Sequence, residues 1–214
     1  MSTPYMSKSA YAFLGLGLVV QVLTYILTHD ALLSLVSGMS GVISVVLCSQ
    51  RKLEFYFFGF FQLITYVMLC IEQKLYAEIA ENAFYFVTMI YGLYHWLKHY
   101  DHEKEEVRTR KLEPSKELLV FVGTIVLSIL LFEFLLATDD TQPLMDAITT
   151  VPAFVAQILM ILRYRESWYY WLFIDLGSIV MWSIAGNWCM VAQFVFWSVN
   201  CIYGLYKWKN DDKI

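Results

Sequence analysis

The stretch Ile90-Tyr91-Gly92-Leu93-Tyr94-His95-Trp96 returns 112 residues later as Ile202-Tyr203-Gly204-Leu205-Tyr206-Lys207-Trp208. Going back along the chain at the same offset, Phe84-Tyr85 aligns with Phe196-Trp197, Ala80 with Ala192 and Phe61 with Phe173. Glu54 aligns with Glu166 and Arg51 with Arg163, and no gap is needed from Arg51 to Trp96. Shared apolar character alone would not keep two loop charges and a Tyr-Gly-Leu-Tyr-x-Trp signature in register. The chain contains an internal repeat.

The repeat is written in strongly apolar sequence. Of the 214 residues, 59% are hydrophobic and only 16% charged, and the mean hydropathy is +0.55. A soluble domain carries about 25% charged and about 45–50% apolar residues. These values exclude a soluble globular enzyme, a nucleic-acid binder and a disordered chain. An outer-membrane barrel is excluded as well, because its strands alternate apolar and polar residues, whereas the runs here are continuously apolar. A polytopic helical membrane protein remains, with room for about eight spans of about 20 residues. The net charge of −4 says little, since membrane topology follows local Lys and Arg bias.

Hydropathy windows place the spans at about 10–28, 31–49, 54–72, 76–97, 117–137, 144–163, 168–185 and 188–207. The sixth is the weakest, because it opens near Asp146 and Pro152. Membrane helices tolerate a proline where neighbours satisfy the freed carbonyl. The first run spans without a small-residue cleavage site, so a cleavable signal is not expected. Nearly all Lys and Arg fall in alternate loops: Gln50-Arg51-Lys52, the loop from Lys98 to Lys116, Arg163-Tyr164-Arg165, and the tail with Lys207, Lys209 and Lys213. The other loops read His29-Asp30, Glu72-Gln73-Lys74, Asp139-Asp140 and Gly186-Asn187. Both termini are therefore expected to be cytoplasmic.

The fold class expected is an all-α integral membrane protein of about eight transmembrane helices. Two parallel three-helix repeats are joined by a linker helix, with an extra N-terminal helix. The boundaries expected are 1–30 for the accessory helix, 31–98 for the first repeat, 99–140 for the cytoplasmic loop and linker helix, 141–208 for the second repeat and 209–214 for the tail. One linker helix returns the second unit in the same orientation, as the loop charges independently require. Parallel repeats about an axis along the membrane normal are a transporter architecture, with the substrate at the repeat interface near the midplane.

Polar residues deep in apolar spans are costly unless they face protein or a watery cavity. In the eighth span Gln193, Trp197, Asn200 and Gly204 share one helical face. The corresponding face of the fourth span carries Glu81, Tyr85, Thr88 and Gly92, with Asn82 beside it. The third span adds Gln62 and Tyr66, and the seventh adds Trp171, Asp175, Ser178 and Trp182. The candidate substrate-binding set is Gln62, Asn82, Tyr85, Thr88, Trp171, Asp175, Trp182, Gln193, Trp197 and Asn200. Amides and hydroxyls suit a neutral hydrogen-bonding group. Aromatic faces suit a flat ring, and a cationic ring gains about 0.5–2 kcal/mol more from cation–π contact. No Arg or Lys lies mid-span to pair with a phosphate.

Other features have plainer readings. Trp96, Tyr94, Trp208, Tyr206 and Tyr164 sit where interfacial anchors belong, and Gly92 and Gly204 read as helix-packing sites. Trp168, near the cytoplasmic end, is assigned to structure or gating. Cys48, Cys70, Cys189 and Cys201 read as small core residues. His95 and His99 read as interfacial rather than metal-binding, and the mixed-charge loop from Lys98 to Lys116 as a solvated linker. No GxSxG, HExxH or phosphate-cradling Gly-rich loop occurs. No catalytic residue, metal or cofactor is expected, and no nucleic acid partner.

The sequence resembles the PnuC-type transporters. The matching pieces are Asn82-Ala83-Phe84-Tyr85 leading to Tyr91-Gly92 and Trp96, and Arg165-Glu166-Ser167-Trp168-Tyr169-Tyr170-Trp171 leading to Asp175. The third is Gln193-Phe194 through Trp197, Asn200 and Tyr203-Gly204 to Trp208. The resemblance covers most of the chain from about residue 31 onward. It implies a SWEET-like plan and uptake of nicotinamide riboside, an NAD precursor, across the bacterial inner membrane. It also implies facilitated diffusion by alternating access, with trapping by a cytoplasmic riboside kinase. Relatives on the same scaffold carry thiamine or riboflavin, so another vitamin stays an alternative, and a membrane small-molecule sensor is the alternative of another class. The lipid bilayer is a certain partner, and a homo-oligomer is compatible with the sequence.

Overall fold

The computed structural model describes residues 5–138 and 143–211. Among them are eight helices: α1 (Lys8–Thr28), α2 (Leu32–Ser49), α3 (Phe55–Gln73), α4 (Tyr76–Leu97), α5 (Pro114–Leu136), α6 (Pro143–Ile161), α7 (Ser167–Ile184) and α8 (Trp188–Asp211). Each lies within a few residues of its predicted span. Six are long and apolar enough to cross a membrane. The other two, α4 and α7, carry Glu78, Glu81 and Asp175 along a polar cavity. The loop acids Asp139 and Asp140 and the tail lysine Lys213 lie outside the described residues.

The repeat extends to the way the helices stop. At the end of α2, Arg51 adopts a left-handed conformation with φ 60°, and at the end of α6 its counterpart Arg163 does the same with φ 69°. Lys52 N–H then bonds the Leu47 carbonyl at 3.0 Å, and Tyr164 N–H bonds the Leu159 carbonyl at 2.8 Å. This is the Schellman arrangement, which satisfies the orphan carbonyls of a last turn. α3 and α7 also end alike, with positive φ at Lys74 and Gly186. Leu75 N–H reaches Cys70 at 2.8 Å there, and Asn187 N–H reaches Trp182 at 3.1 Å.

The two halves, α2–α4 and α6–α8, meet about a pseudo-two-fold axis. α2 packs on α8, and α4 packs on α6 in the equivalent way. Cys48 and Met160 are the same position in the two copies, and their sulfurs approach to 3.5 Å. On either side of this contact the Trp96 indole donates to the Met160 carbonyl at 3.3 Å, and the Trp208 indole donates to the Ser49 carbonyl at 3.2 Å. Both tryptophans are fully buried, with ring centroids 6.1 Å apart. Trp96 and Trp208 are therefore not interfacial anchors, whereas Tyr94 and Tyr206 are 65% and 64% exposed. The two tryptophans clamp the halves together at the end that carries the basic loops. Gly92 and Gly204 serve this packing: a Cβ at Gly92 would lie 2.6 Å from Ile161 and Tyr56, and one at Gly204 2.7 Å from Trp168.

The loop after α4 is not a solvated linker. It folds into a short antiparallel hairpin, β1 (Tyr100–Asp101) with β2 (Glu106–Val107), and straps both halves at their basic ends. Val107 N–H donates to the Arg51 carbonyl at 3.0 Å, Lys52 Nζ donates to the Glu105 carbonyl at 2.9 Å, and Arg51 pairs with Glu106. On the other half Arg110 N–H reaches the Arg163 carbonyl at 2.8 Å, and the Arg163 guanidinium reaches the Arg108 carbonyl at 2.7 Å. Burial, with Arg110 alongside, pushes the Arg163 guanidinium down to about 10. Leu112 N–H closes the strap on the Glu166 carboxylate at 3.1 Å.

α5 packs against α6 and keeps most of its surface exposed, as a linker helix in lipid would. α1 lies on α2 and α8; its Gly17 admits the Phe196 ring, and Phe13 stacks on Phe196 with centroids 4.4 Å apart.

Candidate functional site

Between the halves lies a cavity of about 920 Å³. Its mouth is lined by Lys74, Leu75, Asp146 and Ala185, at the end away from the basic loops. Its floor is Cys48, Met160 and Trp168, just above the tryptophan clamp. Polar residues gather at mid-depth.

Seven of the ten sequence-predicted residues line this cavity: Gln62, Asn82, Tyr85, Trp171, Asp175, Trp197 and Asn200. Asn200, 1% exposed, donates from Nδ2 to the Val45 carbonyl at 3.0 Å, while its Oδ1 has no partner. One half of the amide anchors the side chain, and the other keeps its hydrogen-bonding capacity unused. The Trp197 indole N–H is likewise unpartnered, and its ring sits edge-on to Phe194 at 4.9 Å. The Tyr85 and Trp171 rings meet at 63° with centroids 5.8 Å apart, an arrangement aromatic pairs favour. The Tyr85 hydroxyl donates to Glu81 at 3.3 Å. Asn82 Nδ2 donates to the Glu78 carbonyl one turn back, at 2.7 Å. Asp175 accepts from the Cys201 thiol at 3.3 Å, and Gln62 has no side-chain hydrogen bond among the described residues.

Thr88, Trp182 and Gln193 do not line the cavity. Thr88 faces α6, where its hydroxyl accepts from Gln157 Nε2 at 3.0 Å. Trp182 is fully buried and donates to the Tyr66 hydroxyl at 3.1 Å, which donates in turn to Glu78 at 2.9 Å. This chain positions Glu78 from behind. Gln193 is turned toward α2, against Gly41, with both amide atoms unpartnered.

The cavity also uses residues outside the predicted set, notably Ser44, Glu78, Glu81 and Gln157. Gln157 lies deep in α6, where the rule that singled out the other amides applies equally. Glu78 stands one turn before Asn82, so it shares that helical face.

The arrangement can hydrogen-bond hydroxyls and a carboxamide, hold a flat ring against aromatic walls and favour positive charge. Among the described residues that line it, the one Lys or Arg is Lys74, at the mouth. Among the described residues no three His, Cys, Asp or Glu side chains group as a metal site.

Comparison with known proteins agrees with this geometry. Residues 31–210 match the family model described as nicotinamide mononucleotide transporter. The chain is 30% identical over 207 residues to a Neisseria mucosa protein named nicotinamide riboside transporter PnuC, covering 92% of this chain and 77% of that one. It is 30% identical over 199 residues to the Haemophilus influenzae protein of the same name, covering 92% and 87%. The Escherichia coli PnuC is 26% identical over 201 residues, covering 82% and 84%. The crystal structure of the vitamin B3 transporter PnuC superimposes with a TM-score of 0.87 at 27% identity, covering 99% of this chain and 94% of that one. The chain belongs to the nicotinamide mononucleotide transporter family, multi-pass membrane transporters among which are the PnuC proteins.

Proposed function

We propose that this protein carries nicotinamide riboside, rather than the mononucleotide in the family's name, into the cell by facilitated diffusion. The observation that carries this reading is the charge of the cavity. Glu78, Glu81, Asp146 and Asp175 line it, and among the described residues the one Lys or Arg that lines it, Lys74, stands at the mouth. A pyridinium cation with a carboxamide and ribose hydroxyls finds complementary groups there. A phosphate at the depth of Asn200 and Asp175 would be desolvated among carboxylates, away from the ammonium of Lys74 at the mouth. The names of the PnuC relatives support the same ligand.

In this reading Asn82, Gln62 and Asn200 bond the carboxamide and ribose, and Tyr85, Trp171 and Trp197 enclose the ring. The loop charges support a cytoplasmic position, at a bacterial inner membrane, for the basic end, the strap and both termini. The cavity then faces outward, and transport is the rocking of one half against the other about the ligand. A cytoplasmic riboside kinase would trap the product, and the carrier can work singly or as a homo-oligomer.

The test is isothermal titration of the purified protein in detergent with the riboside, its mononucleotide, nicotinamide and thiamine. Binding of the riboside alone is the expected result. Binding of thiamine instead would keep the cavity and overturn the substrate, and binding of none of the four would overturn the reading as a whole. In proteoliposomes, entry down a riboside gradient should continue after ion gradients are collapsed.

A further inference from the structure

The cavity carboxylates are not spread evenly. α4 runs from the mouth toward the clamp and α7 runs back, so Glu81 stands one turn on the mouth side of Tyr85, and Asp175 one turn on the mouth side of Trp171. Tyr85 and Trp171 form one wall, so the two carboxylates flank the same edge of it, about 6 Å outward. Glu81 is held by the Tyr85 hydroxyl, and Asp175, 2% exposed, has the Cys201 thiol as its hydrogen-bond donor. Thiol hydrogen bonds are weak, so this buried carboxylate gets little compensation from the protein alone. Asn200, on a side chain 99% buried, and Trp197 line the same cavity, and each carries a buried polar atom without a partner, Asn200 Oδ1 and the Trp197 indole N–H. Together these describe a built ligand site.

Resting on the riboside reading above, we infer that Glu81 and Asp175 form a carboxylate collar that reads the charge, and hence the oxidation state, of the nicotinamide ring. The oxidised pyridinium is a cation, whereas the 1,4-dihydro ring has nearly the same shape and is neutral. Shape and hydrogen bonding treat the two alike, so discrimination falls to the collar and to cation–π contact with the wall. A cationic ring favours the ionised form of the carboxylates beside it and a neutral ring does not, so the collar binds the cation more tightly.

The experiment titrates oxidised and 1,4-dihydro nicotinamide riboside in parallel into wild type, Glu81→Gln, Asp175→Asn and the double variant. Wild type is expected to prefer the oxidised form by about tenfold or more. Each single variant should lose several-fold of that preference, read as the ratio of the two affinities in the same variant. Thermal unfolding in detergent reports separately that each variant is folded. Glutamine keeps an acceptor for the Tyr85 hydroxyl, so the wall stays in place. Equal binding of both forms by wild type would overturn the collar and leave the riboside reading intact. Full retention of preference in the double variant would assign the discrimination to the aromatic wall and overturn the collar too. If wild type bound neither form, it is the riboside reading that would fail.

Discussion

At Asn200 a single side chain does two jobs with its two ends. Nδ2 is spent on Val45 of the other half, and Oδ1, on a residue that lines the cavity, is left without a partner. Asn200→Ala should therefore weaken riboside binding by about tenfold, the scale of one good hydrogen bond, as titration would read. Gln193 is the contrast. It was expected to bind ligand on the same grounds, yet its amide is buried away from the cavity without a partner. A buried polar group with no bond costs stability, so Gln193→Met should leave riboside affinity within about twofold and hold or raise the melting temperature in detergent. Gly204→Ala should destabilise by about 1–3 kcal/mol, because its new methyl meets the Trp168 ring. Thermal unfolding followed by fluorescence would show it.

The difference between Asn200 and Gln193 shows what the sequence could tell at the level of a helix. Eight long apolar runs mark where the helices lie, since a continuously apolar segment spans a bilayer as a helix. They do not fix how each helix is rotated. Lipid is as apolar as a protein core, so no hydrophobic face pins the azimuth. The face read on α8 was Gln193, Trp197, Asn200 and Gly204, while the cavity meets Phe194, Trp197, Asn200 and Cys201. On α4 the shift is similar, from Thr88 to Met89. Trp197 and Asn200 on α8 and Glu81 and Tyr85 on α4 line the cavity, whereas Gln193, Gly204, Thr88 and Gly92 do not. The strap was illegible for another reason. Its partners are backbone carbonyls at Arg51 and Arg163, which no side-chain pattern announces. Its hold has a measurable consequence. Glu166→Ala removes the acceptor for Leu112 N–H, so trypsin should cut after Arg108, Arg110 or Lys111 many-fold faster than in wild type, where local opening must come first.

Across the whole molecule, the clamp decides which end is closed. Trp96 and Trp208 make corresponding bonds across the axis, the second to a carbonyl one residue further along its helix, so Trp96→Phe and Trp208→Phe should each lower stability by about 1 kcal/mol. Because their rings lie 6.1 Å apart, the two effects should couple in a double-mutant cycle, as contacting residues do. Additive losses would mean that the two bonds act independently.

Cys48 and Met160 meet across the axis, yet they are different residues. Were the carrier assembled from two identical half-length chains, whatever stood at that position would face its own copy, and every wall of the chamber would be matched by its double. Covalent union removes that obligation. Gly59 can stand where the other half has Trp171, Leu63 where it has Asp175, and Ile174 where it has Gln62. A guest with a flat charged ring at one end and a sugar at the other has no symmetry of its own, and a host made of two joined, diverging copies can be as lopsided as the molecule it admits.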